Sequence, residues 1–125
     1  MNCLGIESTA HTAGIGIVNE KCEVLANEKH AFTTKEGGMI PRELAEHHSQ
    51  HFPKVLENAL AKSKLNWKKI DCIAYSKGPG IGPALSVGAV MARYLSLLHK
   101  KSLVEVNHCV AHIEIAKKNA IQKTL

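Results

Sequence analysis

His108 and His112 stand four residues apart in Val106-Asn107-His108-Cys109-Val110-Ala111-His112-Ile113-Glu114. On a helix, an i, i+4 pair lies about 40° apart on one face, so two imidazoles can reach one cation. Such a pair is half a metal site. Zinc or iron would need a carboxylate, a water or a substrate atom to complete its shell, and the spacing suits both metals alike. Two histidines on a partly exposed helix face are the plainer alternative. Glu7 ends an apolar run and could meet a metal-bound water or a substrate ammonium, or simply close a sheet edge. Ser8, Thr9 and His11 follow it in Glu7-Ser8-Thr9-Ala10-His11-Thr12, where hydroxyls and backbone amides can wrap a phosphate or make an ordinary polar turn.

A second candidate loop is Gly78-Pro79-Gly80-Ile81-Gly82-Pro83. Glycines let a backbone approach an anion closely, and free N–H groups at a helix start attract negative charge. Gly78, Pro79, Gly80 and Gly82 are therefore candidate binding positions, although the loop is neither GxGxxG nor a P-loop. His47 and His51 repeat the i, i+4 spacing, with His48 between them. Flanked by Glu43 and Glu46, they read as surface or interface hydrogen-bonding groups rather than ligands. Arg42 and Glu43, just after a Gly37-Gly38 break, are better placed to reach the ligand edge of a sheet.

The elements that must position these residues follow from hydrophobic periodicity. Asn2 to Ile6, Gly14 to Val18 and Glu23 to Phe32 read as three strands, the last two joined by a turn at Asn19-Glu20-Lys21. Pro41 suits a first helical turn, and apolar spacing from Leu44 to Leu60 predicts a helix over Pro41 to Ser63 that Pro53 should kink or divide. Ile70 to Ser76 is strand-like, Ala84 to His99 helical and Ser102 to Val106 a strand, with the histidine helix following. The order β-β-β-α-β-α-β-α combines antiparallel hairpins with right-handed βαβ crossovers. It specifies an α/β, ribonuclease-H-like mixed five-stranded sheet with helices on both faces.

A chain of 125 residues with 45% apolar content and 4% aromatics fits one packed domain, not a disordered or disulfide-stapled chain. Cys3, Cys22, Cys72 and Cys109 form no CxxC and read as free core thiols in a reducing compartment. No stretch approaches the roughly 18 apolar residues of a membrane span, so the expectation is a soluble, cytoplasmic protein with no membrane partner. The net charge of +5 favours acidic partners and is compatible with nucleic acid. Lysines at 62, 64, 68, 69, 100, 101, 117, 118 and 123 cluster near helix ends without interleaved aromatics, the pattern of a solvated cationic surface.

Four ordered motifs together resemble one family: Gly5-Ile6-Glu7-Ser8-Thr9-Ala10-His11-Thr12, Gly37-Gly38-Met39-Ile40-Pro41-Arg42-Glu43, Tyr75-Ser76-Lys77-Gly78-Pro79-Gly80-Ile81-Gly82-Pro83 and the His108/His112 segment. They look like the tRNA N6-adenosine threonylcarbamoyltransferases, whose archaeal and eukaryotic members are the catalytic subunit of the KEOPS complex. The resemblance implies an actin-like ASKHA fold of two ribonuclease-H-like lobes with nucleotide between them. It implies one divalent metal, iron or zinc, on His108 and His112. Transfer would run from threonylcarbamoyl-AMP, with ATP as the related nucleotide, to the adenosine beside the anticodon in tRNAs that read codons beginning with A. The small dimerising KEOPS subunit would pack on the lobe's helices, and the complex's kinase subunit would join the complete enzyme.

In that family a second lobe supplies a metal-binding aspartate, a tyrosine and most nucleotide contacts. Residues 1–125 then represent the N-terminal lobe, with Glu7, Arg42 and Glu43 as candidate catalytic groups and the isolated chain inactive without the other half. A metalloprotease would want HExxH, where Cys109 stands in place of the glutamate. A true ribonuclease H would need several carboxylates on adjacent strand ends, where only Glu7 qualifies. The competing reading is a non-catalytic lobe that binds KEOPS subunits and tRNA through apolar positions such as Leu44, Val55 and Leu60.

Overall fold

The computed structural model describes residues 1–33 and 40–115, so the Gly37-Gly38 break and Lys117, Lys118 and Lys123 lie outside the described residues. Strands β1 (Asn2–Glu7), β2 (Thr12–Asn19) and β3 (Val24–Ala31) are followed by α1 (Pro41–Ser63), a short 3₁₀ turn at Trp67–Lys69, β4 (Cys72–Gly78), α2 (Gly82–His99) and β5 (Ser102–Asn107). Residues 108–115 begin a further helix, α3. The sheet order is β3-β2-β1-β4-β5. The first three strands pair antiparallel, whereas β1, β4 and β5 run parallel. The expected ribonuclease-H-like order is therefore present, and the C-terminal ends of β1, β4 and β5 share one edge.

Alternation assigns the two faces. Leu4, Ile6, Ala13, Ile15, Ile17, Ile73 and Tyr75 are buried and form the core with Phe52, Val55 and Ala59 of α1 and Ala92 and Leu95 of α2. The opposite face shows half-buried Cys3, Gly5, Gly14, Gly16, Cys72 and Ala74. There α3 begins, with Ala111 lining a shallow cavity beside Gly5 and Ala74. Small residues on that face let a helix approach the sheet closely. Cys22 and Cys109 are exposed and no disulfide joins any of the four cysteines, so only Cys3 and Cys72, paired across β1 and β4, are even half-buried. The expected core role of all four is corrected on that point.

Helix α1 is unbroken through Pro53, which lies inside its 23 residues on the exposed side. The ring faces solvent, so the lost N–H is not a buried deficit and the helix is not divided. Leu44 and Val55 are 0% and 4% exposed and belong to the core, which removes them from any contact stripe. His47 and His48 are likewise buried, at 8% and 0% exposure, correcting the expectation of surface groups. They face the sheet because α1 packs over β2 and β3, and His48 takes a core position in the Leu44-to-Val55 periodicity.

Burial, reinforced by the neighbouring rings of His51, His48 and His30 and only partly opposed by the Ala31 carbonyl, pushes the His47 imidazole down from the usual 6.5 to about 4. Between those values the unfolded chain binds the proton and the folded chain does not, so stability rises with pH across that window. It is fully present above about 6.5 and lost as pH falls toward about 4. Thermal melts of the chelator-treated chain should show a loss on the order of 2 kcal/mol across this range. His47→Gln should flatten that part of the profile; an unchanged slope in the variant contradicts the assignment.

Candidate functional site

The parallel register brings Glu7, Gly78 and Asn107 to one edge, since Ile6 pairs with Tyr75, Tyr75 with Glu105 and Gly78 with Asn107. Asn107 caps α3: its Oδ1 accepts from the N–H groups of Cys109 at 2.9 Å and Val110 at 3.2 Å. An asparagine at this position satisfies donors that the first helical turn leaves unpaired. The helix is thereby started with His108 in its first turn and His112 one turn later.

Glu7 uses its two oxygens differently. Oε1 accepts from the Thr9 N–H at 2.7 Å and lies 3.4 Å from the Ser76 hydroxyl, while Oε2 lies 3.0 Å from His108 Nδ1. Burial works against the charge on this carboxyl. The hydrogen bonds from Thr9 and the proximity of His108 outweigh it and hold the group below its ordinary range. Ionised Glu7 can only accept, so His108 Nδ1 carries a proton, and in the neutral form of the ring that leaves the Nε2 lone pair bare.

That lone pair points at His112. The two Nε2 atoms are 3.0 Å apart, and the rings meet edge to face with centroids 4.4 Å apart. One of the two Nε2 atoms carries the proton of this contact; with both lone pairs bare, the two nitrogens would face one cation. Ligand nitrogens about 2.0–2.1 Å from a tetrahedral zinc are roughly 3.4 Å apart, so the pair fits a shared ion with little movement. The carboxylate behind His108 fixes where that ring carries its proton, as carboxylates behind metal-ligating histidines do, and raises the basicity of the other nitrogen. His108 keeps 28% of its side chain exposed, which leaves an approach from solvent.

The two candidate loops are laced together. Ile81 N–H donates to the Thr9 carbonyl at 2.8 Å, and a Cβ on Gly80 would fall 2.6 Å from that carbonyl oxygen. Gly80 is thus required by backbone packing. At Gly82 a Cβ would meet nothing within 4 Å, and Pro79, Gly80 and Gly82 are exposed at the start of α2. Pro83 follows in the first turn, where a missing N–H costs nothing.

Other expected site residues lie elsewhere. Ser8 is fully buried, and its Oγ has no partner among the described residues and faces Gly88 of α2. Thr9 is 6% exposed and presents its backbone to Glu7 and Ile81. His11 is exposed. Arg42 pairs with Glu46 at 3.6 Å on the solvent side of α1, and neither it nor Glu43 joins the Glu7 group through any described hydrogen bond or ion pair. Sequence reasoning missed Ser76, which backs Glu7, and Asn107. The cap was signalled by an asparagine directly before the HxxxH helix.

The family model for TsaD, tRNA N6-adenosine threonylcarbamoyltransferase, matches residues 22–124. The chain belongs to this family. It is 56% identical to the protein of that name from Ignicoccus hospitalis over 117 residues, covering 94% of this chain and 36% of that protein. The Thermococcus sibiricus protein is 53% identical with the same coverage, and the Methanopyrus kandleri protein 50% identical over 98% of this chain and 36% of its own length. The chain thus spans 36% of the length of these curated relatives. Among solved structures, YeaZ from Pseudomonas aeruginosa superposes with TM-score 0.68 at 13% identity, covering 86% of this chain and 45% of that one. T. thermophilus RuvC in complex with Holliday junction substrate gives 0.54 at 11%, covering 87% and 66%. Both likenesses concern the fold alone.

The packing of Ser8 against Gly88 yields a paired expectation. Alanine in a helix normally gains about 1 kcal/mol over glycine, but a Cβ on Gly88 would lie 2.2 Å from Ser8 Oγ. Gly88→Ala should therefore destabilise by about 1–3 kcal/mol in denaturant titration, and Ser8→Gly should recover much of the loss. Ser8→Ala alone should be neutral or mildly stabilising, because its hydroxyl is buried without a partner. Additive single and double variants would refute the contact.

Proposed function

We propose that this chain is the N-terminal lobe of a tRNA N6-adenosine threonylcarbamoyltransferase and supplies one wall of the transfer site. The observation that carries the reading is the Glu7–His108–His112 array, with Oε2 3.0 Å from Nδ1 and the two Nε2 atoms 3.0 Å apart. His108 and His112 would hold one divalent iron or zinc ion, which supplies Lewis-acid polarisation of donor oxygens when bound. Glu7 holds the proton on His108 Nδ1 and keeps Nε2 available. Exposed Pro79, Gly80 and Gly82, with half-buried Gly78 at the end of β4, lead into the start of α2, suited to phosphate or carbamoyl oxygens of threonylcarbamoyl-AMP or ATP. His11 remains a peripheral candidate. Arg42 and Glu43 would act only on a substrate that extends over the start of α1.

The acceptor would be tRNA, and exposed Lys62, Lys64, Lys68, Lys69 and Lys100 with the +5 balance support a polyanionic partner. Exposed Leu103, Val104, Val110, Ile113 and Ile115 on β5 and α3 are apolar surface that a second lobe would cover. No helix among the described residues is long and apolar enough to cross a membrane, which suits a cytoplasmic tRNA enzyme.

One observation favours a second reading, a lobe that serves partners without turnover. Phe52, Pro53 and Leu56 of α1 and Val87, Met91 and Tyr94 of α2 line an open apolar groove. It would receive the small dimerising KEOPS subunit, with the kinase subunit meeting the complete enzyme.

Mixing the chain with a second-lobe polypeptide from one of the similar archaeal proteins and following modification of tRNA carrying an adenosine beside the anticodon should restore turnover. His108→Ala should lower the rate at least 100-fold. Glu7→Gln should lower it about 10- to 100-fold, the usual effect of losing the carboxylate that orients a ligating histidine. Full turnover in a His108→Ala/His112→Ala variant would end the transferase assignment of this edge. Subunit binding without turnover in the unmodified pair would favour the interaction lobe.

A further inference from the structure

At the same strand ends, but on the lateral strand farthest from β5, a second set of imidazoles bridges β3 and α1. His30 of β3 and His47 and His51 of α1 each offer one ring nitrogen, and the three nitrogens lie within 4.8 Å of one another. His30 Nδ1 is 2.8 Å from His47 Nε2, and the His30 ring stacks on His51 with centroids 3.8 Å apart. No carboxylate takes part in this group.

A hydrogen-bond chain behind the cluster decides which nitrogen is bare. His48 Nε2 lies 2.8 Å from the Ala10 carbonyl, which can only accept, so Nε2 carries the proton. A neutral His48 then has an unprotonated Nδ1, and this atom faces His47 Nδ1 at 2.9 Å. His47 must donate there. With its one proton held toward His48, the Nε2 lone pair is directed at His30; the Ala31 carbonyl, which also favours a proton on this ring, is the competing acceptor that an ion would have to displace. A hydrogen bond to the far nitrogen prepares a ligating histidine in this way. Burial of His47 holds its ring in one orientation against β3. Phe32 closes one side of the ring edge-on, whereas His30 is exposed and His51 partly so, which leaves the cluster open to an ion from solvent.

We propose that His30, His47 and His51 form a three-histidine site for a divalent transition ion of the zinc class, a clip that fastens the edge strand β3 to helix α1. Neutral imidazoles suit zinc, cobalt, nickel and copper, and a tetrahedral ion would keep one position for water. Nitrogens around such an ion sit roughly 3.4 Å apart, so His30 moves slightly away from His47 and His51 closes in. His48 is a positioning residue, acting through His47. The site shares no ligand with the Glu7–His108–His112 array, although His48 is held by the Ala10 carbonyl of the loop that follows Glu7.

The test uses the untagged 125-residue chain carrying His108→Ala and His112→Ala, stripped with chelator and titrated with cobalt(II) and then zinc(II). The expected result is one equivalent of cobalt with visible absorption typical of a tetrahedral site, displaced by zinc, together with a zinc-dependent rise in melting temperature. Adding His30→Gln or His51→Gln should weaken binding at least tenfold and abolish that rise. Neither of these side chains is buried, and the ion-free melting temperature reports whether each variant folds. His99→Gln serves as a control that should bind like the parent. Absence of stoichiometric binding, or binding unchanged in both His30→Gln and His51→Gln, overturns the proposal.

Discussion

Glu7 Oε2 and His108 Nδ1, 3.0 Å apart, join the end of the first strand to the start of the last described helix across 101 residues of chain. The contact exists because β1, β4 and β5 are parallel and in register, so their C-terminal ends arrive together and face one another's loops. Open α/β sheets bind ligands at such an edge. One carboxylate there sets the tautomer of one imidazole and, through it, the direction of a lone pair. Slipping the β1/β4 pairing by one residue would carry Glu7 to the core face, where Ile6 now packs, and the arrangement would be lost.

The rest of the fold serves that edge. Its core face is apolar and closed by α1 and α2, which fixes the strands rigidly. Its other face is paved with glycine, alanine and cysteine, which lets α3 begin close to the sheet with His108 above Glu7. The cap at Asn107 and the lacing of Thr9 to Ile81 are local devices with the same effect, holding backbone turns so that few side chains need to. Preorganisation of this kind spares a ligand the cost of ordering its own site.

Much of this was legible in the sequence. The limits of α1 agree with the periodicity at both ends, because Pro41 marks its start and its apolar stripe is long. β4 begins two residues later than alternation suggests: Ile70 is buried, yet its N–H closes the 3₁₀ turn at Trp67 instead of pairing in the sheet. β1 runs on to Glu7 because β2 opposes it there through Gly14. At the site, the i, i+4 pair could be read from spacing alone, whereas the Glu7 contact could not, being a product of register. Ser8 and Thr9 were misleading for a physical reason. Small hydroxyl residues suit a phosphate loop and a tight strand–helix contact equally, and only the approach of Gly88 shows which use the chain makes of Ser8. His30 was invisible as a partner of His47, since it lies 17 residues earlier on a different element.

Two histidine systems built on the same spacing differ in what stands behind them. His108 is backed by an ionised carboxylate, which strengthens the electron donation of the ring and leaves it partly open to solvent. His47 is backed by a neutral ring, itself pinned to a backbone carbonyl, and is almost wholly buried. A carboxylate behind an exposed ring favours a site whose contents can be reached and exchanged by a substrate. A carbonyl-anchored relay behind a buried ring fixes orientation without adding charge to the core, where an unpaired carboxylate would be costly. Spacing alone makes the HxxxH pairs of α1 and α3 look interchangeable; the acceptor each pair leans on, the Glu7 carboxylate or the Ala10 carbonyl through His48, tells them apart.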